Sequence, residues 1–120
     1  SLQPVTWLNV KSLIARPLRG SRLPRGPITI QGVAWTGQGV VDRIEVAAEG
    51  DDWRPAQWVS EPRAGAWRLW RATWTPSRPG EYALRCRASD SSGQTQPETT
   101  PWNKSGYLWN GWDVVACEVV

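Results

Sequence analysis

Apolar and polar residues alternate with a period of two along most of the chain, and no stretch sustains the period of a helix. Runs rich in Val, Ile, Thr and Trp recur between clusters of Gly, Pro, Asp and Ser, the pattern of strands separated by turns. The spacing predicts strands over Leu8 to Arg16, Pro27 to Trp35, Val40 to Ala48, Ala66 to Thr75, Gly80 to Ser89 and Asp113 to Val120. A short strand is expected near Gln57 to Val59. Turn chemistry falls between them at Gly20 to Gly26, Thr36-Gly37-Gln38-Gly39, Glu49-Gly50-Asp51-Asp52, Ser77-Arg78-Pro79-Gly80 and Asp90-Ser91-Ser92-Gly93.

An all-β chain of about seven short strands fits an immunoglobulin-like antiparallel sandwich of the E-set type. One strand breaks the rule for such a fold, which asks for one apolar and one polar face. In Ala66 to Thr75, Trp67, Leu69, Arg71 and Thr73 point one way and Arg68, Trp70, Ala72 and Trp74 the other, so both faces carry tryptophan. Either long loops of the same chain cap the second face, or it meets another protein surface, where Trp and Arg are the enriched anchors. On the second reading the dimer-interface residues are Arg68, Trp70 and Trp74.

The chain has 120 residues, enough for one domain with a core that needs no metal or disulfide. Its ten tryptophans replace the missing Phe and Met as bulky stock. The net charge is +3, and of 14 basic residues only Lys11 and Lys104 are lysines, so arginine, the cation that stacks on rings and forks onto carboxylates, dominates. Apart from Arg16, Arg19, Arg22 and Arg25, the arginines alternate with acids or aromatics. Such a distribution lacks the basic stripe of a nucleic-acid binder. No apolar run approaches the length needed to cross a membrane.

Histidine is absent, which removes the commonest general base and metal ligand. Asp51 and Asp52 are adjacent in a turn and read as a solvated hairpin tip, and Gly37 and Gly39 read as turn residues. Cys86 and Cys117 lie in predicted strands, where free buried thiols and a cross-strand disulfide are the two readings. The segment from Trp102 to Trp112 is the most unusual, with Trp102, Trp109 and Trp112 interleaved with Asn103, Gly106, Asn110 and Gly111 in what cannot be regular structure. Rings that large must be covered by the end of the domain or a neighbouring surface. Within it, Lys104 and Ser105 form a cation and hydroxyl pair able to help hold an anion, against the plainer reading of a solvated lysine.

The order of motifs resembles the C-terminal dimerisation domain of the sulfite oxidase family of molybdenum-cofactor oxidoreductases, from Val10 to Val120. It rests on Val10-Lys11-Ser12 with Arg16-Pro17, Ile30-Gln31-Gly32-Val33-Ala34-Trp35 with Gly37 and Gly39, and Arg43-Ile44-Glu45-Val46 leading to Trp53 and Ala56. Trp67-Arg68-Leu69-Trp70 follows, then Arg87-Ala88-Ser89-Asp90 with Gly93, Gln96 and Pro97, and Trp102-Asn103 with Gly106-Tyr107 and Asn110. The resemblance implies an immunoglobulin-like domain that follows a molybdenum-cofactor domain and mediates a homodimer. It also implies that Trp102, Asn103, Lys104, Ser105, Gly106 and Tyr107 line the substrate pocket of that neighbour.

By the same resemblance, residues 1–9 are a linker from the upstream domain and residues 10–120 the dimerisation domain. The molybdopterin-molybdenum group and its ligating cysteine belong upstream, so the isolated chain is expected to be neither an enzyme nor a cofactor binder, with neither nucleic acid nor membrane as partner. A periplasmic or other extracytoplasmic setting accords with the exported bacterial members. Sulfite-oxidising members carry an arginine immediately before the glycine matching Gly106, where this chain has Ser105. One neutral donor there replaces a fixed cation with five. A freestanding carbohydrate-binding sandwich with exposed tryptophan platforms is the competing reading, and an adhesion module is disfavoured because the cysteines fall in the sixth and last predicted strands rather than the second and sixth.

Overall fold

Alternating burial along each segment resolves the computed structural model into nine strands across the residues it describes, 9–61, 67–98 and 111–120. They are β1 (Lys11–Arg16), β2 (Arg22–Leu23), β3 (Ile28–Trp35), β4 (Val41–Ala48), β5 (Arg54–Pro55), β6 (Gln57–Trp58), β7 (Arg68–Trp74), β8 (Gly80–Asp90) and β9 (Asp113–Val119). One sheet runs β1-β3-β7-β6 and the other β2-β9-β8-β4-β5, the strand order of an immunoglobulin-like sandwich. The six long predicted strands and the short one near Gln57 are all present.

Two further pairs of residues are strands that the sequence pattern hides among turn signals. Arg22–Leu23 runs parallel to β9, and Arg54–Pro55 edges β4. Pro55 is tolerated because an edge strand needs no N–H on its solvent side. The chain then changes sheets within one residue: Ala56 donates its N–H to Ile44 O at 2.9 Å, and Gln57–Trp58 joins β7 of the opposite sheet.

The core lies between the sheets, with Ile30 and Trp70 from one and Ile44, Val46, Leu84, Cys86 and Val115 from the other. Val41 and Ile44 both face inward although they are three positions apart, because the β4–β8 register shifts between Val41 and Arg43. Among the described residues Trp70 is the largest side chain that is fully buried, 1% exposed. It is paired across the ladder with Gly32, and a Cβ at position 32 would collide with the Trp70 ring and the Leu13 carbonyl. The missing side chain of Gly32 is therefore the space that the indole fills.

This burial corrects the interface assignment made from the sequence. The Arg68, Trp70 and Trp74 face points inward: Trp70 is core, Trp74 packs edge-on against Tyr82 at 4.9 Å, and Arg68 lies over Trp58 at 3.8 Å. The alternation along β7 is as expected, but Trp70 faces the interior and not a partner. A tryptophan opposite a glycine is a core pair, and the register that opposes them is a long-range property. Cys86 and Cys117 are both free and buried, which removes the disulfide reading. In the β8–β9 ladder each opposes another residue, Cys86 facing Asp113 and Cys117 facing Tyr82.

Gly32→Ala is expected to lower the stability of the chain by about 1–3 kcal/mol through overpacking against Trp70. Urea denaturation followed by tryptophan fluorescence reads this directly, and an unchanged midpoint would contradict the packing described.

Candidate functional site

Two features of the surface stand out: the end of the sandwich from which residues 99–110 depart, and the outer face of the four-stranded sheet. The substrate-pocket residues proposed from the sequence, Trp102, Asn103, Lys104, Ser105, Gly106 and Tyr107, lie outside the described residues.

Gln96 is 3% exposed and joins both sides of the departure point. Its Oε1 accepts from the Ala88 N–H at 2.9 Å and from Ser12 Oγ, and its Nε2 donates to Gly111 O at 2.9 Å. Trp112 closes the stem from the other side, donating its backbone N–H to Pro97 O and its indole N–H to Gln96 O, both at 3.0 Å. Chain exit and chain return are thus fastened to one buried amide. Removing such a group would leave several buried donors and acceptors unpaired, each costing about 1–3 kcal/mol.

The stem rests on a platform of rings and cations on the outer face of the five-stranded sheet. Trp112 meets Trp53 edge-on at 4.8 Å, with the Arg87 guanidinium 4.0 Å from the Trp53 ring centre and that of Arg85 4.8 Å from it. Arg87 also bonds Glu45 at 2.9 Å. Arg85 contributes no ion pair among the described residues, and its Nε is buried without a hydrogen-bond partner. Arg85 and Arg87 alternate with the inward Leu84, Cys86 and Ala88, so the platform follows from strand period alone.

A second buried polar group shapes the approach to the stem. Asp90 ends β8, and its carboxylate accepts from Thr36 Oγ1, from the Ser92 N–H at 3.0 Å and hydroxyl at 2.7 Å, and from the Gln94 N–H at 3.1 Å and side-chain amide at 3.1 Å. These bonds hold the turn that leads the chain from β8 back to Gln96, whose N–H donates to Ala88 O at 3.0 Å. Burial opposes ionisation of Asp90, but the donated hydrogen bonds outweigh it and hold its pKa below the ordinary 3.8. On the return side, Asp113 accepts from the Ile14 N–H at 2.8 Å, and burial pushes its pKa up.

Cys86 lies beneath this end, its Sγ 3.3 Å from Ser12 Oγ, and burial pushes its thiol up to about 12. A thiol held protonated is neither nucleophile nor metal ligand at neutral pH. Among the described residues no group of three His, Cys, Asp or Glu side chains converges as a metal site would require.

The outer face of the four-stranded sheet is apolar where a solvated sheet would be polar. Trp67 and Trp35 stack with ring centres 4.6 Å apart, and Trp67 remains 62% exposed. Leu69 and Val59 beside them are 47% and 54% exposed. Arg68 is tied to the framework instead, donating to Val41 O at 2.8 Å and to Ser60 O at 3.2 Å. Partial burial lowers its pKa against the opposing charges of Glu61 and Asp42.

The description of a Mo-co oxidoreductase dimerisation domain fits residues 3–119. The chain belongs to this family. It is 37% identical to mouse mitochondrial sulfite oxidase across 94% of its own length and 22% of that protein, and 32% identical to the NADH nitrate reductase of spinach across 90% and 13%. The solved sulfane dehydrogenase SoxCD of Paracoccus pantotrophus superposes with a TM-score of 0.74 at 25% identity, covering 89% of this chain and 29% of that one. This Mo-co dimerisation domain therefore has the sulfite oxidase type of fold and spans only 13–29% of the length of these three proteins. The carbohydrate-binding alternative is not favoured by these matches.

Reasoning from sequence missed the clamp, since Gln96 and Ser12 figured only as members of motifs. Their signal was present as polar side chains at inward positions, Ser12 among the apolar alternates of β1. Trp53 and Trp112 gave no sign of meeting, because their contact joins segments far apart in the chain.

Asp90→Asn is expected to cost about 1–3 kcal/mol at neutral pH by weakening bonds to a buried charge. Because the folded pKa lies below the unfolded one, the carboxylate stabilises the fold above about pH 4 and loses that effect as the pH falls through the lowered value. Urea midpoints of variant and parent should therefore draw together as the pH falls from neutrality through that lowered value. A gap that stays constant with pH would contradict this role.

Proposed function

We propose that this chain is the association domain of a sulfite oxidase-like molybdenum-cofactor oxidoreductase, pairing with a second copy and lending Trp102 to Tyr107 to the substrate pocket of an adjoining cofactor domain. The observation that carries the reading is the clamp at Gln96. It fixes both ends of the segment that resembles the family's pocket loop to the rigid frame of the sandwich. A pocket wall needs such a base, because substrate-binding groups work only when their supports hold them in place. Family membership supports the same reading.

The described residues do not fit the molybdenum group itself. Both cysteines are buried, Cys86 is held as a thiol, and no cluster of ligands gathers around either among the described residues. The redox chemistry accordingly belongs to the adjoining domain, and this chain contributes association and one wall of the pocket.

Ser105 defines what that wall offers a substrate. The hydroxyl supplies one neutral donor where a guanidinium would supply a fixed positive charge, and hydrogen bonds to a charged partner are about twice as strong as neutral ones. Lys104 next in sequence provides a cation that is a flexible point charge rather than a planar fork. This combination suits a substrate less dependent on bidentate recognition than sulfite is.

In a polypeptide carrying both domains, Ser105→Arg is expected to lower the KM for sulfite about tenfold, equivalent to about 1.4 kcal/mol of binding. Steady-state kinetics with sulfite measures it. A KM that does not move would overturn the placement of this segment at the pocket while leaving the association role intact.

A further inference from the structure

We propose that Arg85, on the platform beneath the stem, is the centre of a binding site for a small oxyanion, one that offers two oxygens along one edge as carboxylate and sulfate do. The site lies wholly on described residues, in β8, its two neighbouring strands and the rings of Trp53 and Trp112, and stands apart from the pocket reading.

Two arginines on one strand differ in a way that carries the inference. Arg85 and Arg87 face the same side of β8 and lie over the same two rings. The Arg87 guanidinium is 4.0 Å from the centre of Trp53 and 5.7 Å from that of Trp112, and Arg85 is 4.8 Å and 5.4 Å from them. Their ladder neighbours set them apart. Arg87 is paired across β4 with Glu45, and its Nε donates to that carboxylate at 2.9 Å. Arg85 is paired with Ala47 on one flank and Val114 on the other, so neither side chain beside it offers an acceptor. Its Nε is shut away from water without a hydrogen-bond partner, and among the described residues no carboxylate forms an ion pair with it.

Electrostatics defines what Arg85 lacks. A ring face attracts a cation and fixes its plane, but leaves the N–H groups in that plane without an acceptor. A guanidinium that has given up water at one corner still carries a full charge, and an oxyanion aligned with its remaining edge balances that charge through charge-assisted bonds. The rings already hold the side chain, so binding immobilises few rotamers. Ala47, 7% exposed, and Val114 place apolar surface on either side, where a pair of opposite charges attracts more strongly than in open water. Glu45 is matched by Arg87, which leaves the platform with the net positive charge of Arg85. Ala47 stands opposite Arg85 as Glu45 stands opposite Arg87, and the missing carboxylate is the chemistry the site would take from outside. A free ion and a carboxylate side chain on an adjoining protein surface both supply it.

Titration of the 120-residue chain with sodium sulfate and with sodium acetate at constant ionic strength tests the proposal, followed by the side-chain N–H resonances of arginine and tryptophan. The Arg85 Nε–H signal is expected to shift saturably, and that of Arg87, already bonded to Glu45, to move far less. The indole N–H signals of Trp53 and Trp112 report binding in the variants. Arg85→Gln should weaken binding about tenfold or more by removing the charge, and Arg85→Lys about threefold by removing the fork. Ala47→Glu, which supplies the carboxylate from within, should abolish the response to added ion. Arg85→Gln places no new charge in the sheet, so the test does not depend on Ala47→Glu folding. In a polypeptide carrying both domains, an Arg85 signal that sulfate still shifts assigns the site to a free ion. A signal already at the bound position and unmoved by sulfate assigns it to a carboxylate of the adjoining surface. The absence of a saturable shift in the 120-residue chain, or a response of equal strength in Arg85→Gln, overturns the site.

Discussion

The fit of the Trp70 ring over Gly32 is the constraint on which the arrangement of this domain depends. Trp70 is the bulkiest fully buried side chain among the described residues and Gly32 is its ladder partner, so β3 and β7 join only in the register that sets the absent side chain under the indole. Slipping that register by one residue would turn every side chain of β7 to the other face. Trp70 would then be driven into solvent, and Trp67 and Leu69 into the interior. The inward and outward sets of this strand are thus decided together. The Trp70 N–H has no hydrogen-bond partner among the described residues, so its contribution comes from the ring.

With Trp70 committed to the interior, the other described tryptophans divide among tasks that a single core cannot serve. Trp58 and Trp74 line the rim of the core beneath Arg68 and beside Tyr82. Trp53 and Trp112 brace the base of the stem with Arg85 and Arg87. Trp35 and Trp67 remain as a stack on an outer face. Arginine suits these places better than lysine, because its plane lies flat on a ring while its edges still donate hydrogen bonds. Arg68 and Arg87 each do both.

Much of this was legible in the sequence. Period-two alternation located the long strands, turn residues separated them, and the motif order identified the family. What remained hidden was set by pairing across distance. The inward face of β7 depends on Gly32, far away in the chain, and no local pattern distinguishes a tryptophan opposite a glycine from one exposed on a sheet. The short strands at Arg22 and Arg54 take their hydrogen bonds from neighbours already in place, while their own composition signals turns. Gln96 and Ser12 entered only as members of motifs, and the bonds that bury them reach across the fold. The candidate pocket residues Trp102 to Tyr107 lie outside the described residues, and their assignment to a pocket comes from the resemblance.

The closure at Gln96 separates two demands that usually conflict. With entry and exit pinned to one buried amide, the intervening stretch is an insertion whose length and composition weigh little on the sandwich, since doubling such a span costs only about 0.6 kcal/mol in closure entropy. Sequence change between the two pinned ends can then accumulate without renegotiating the stability of the scaffold. A single scaffold shared by sulfite, nitrate and sulfane enzymes among its relatives is what this decoupling would produce.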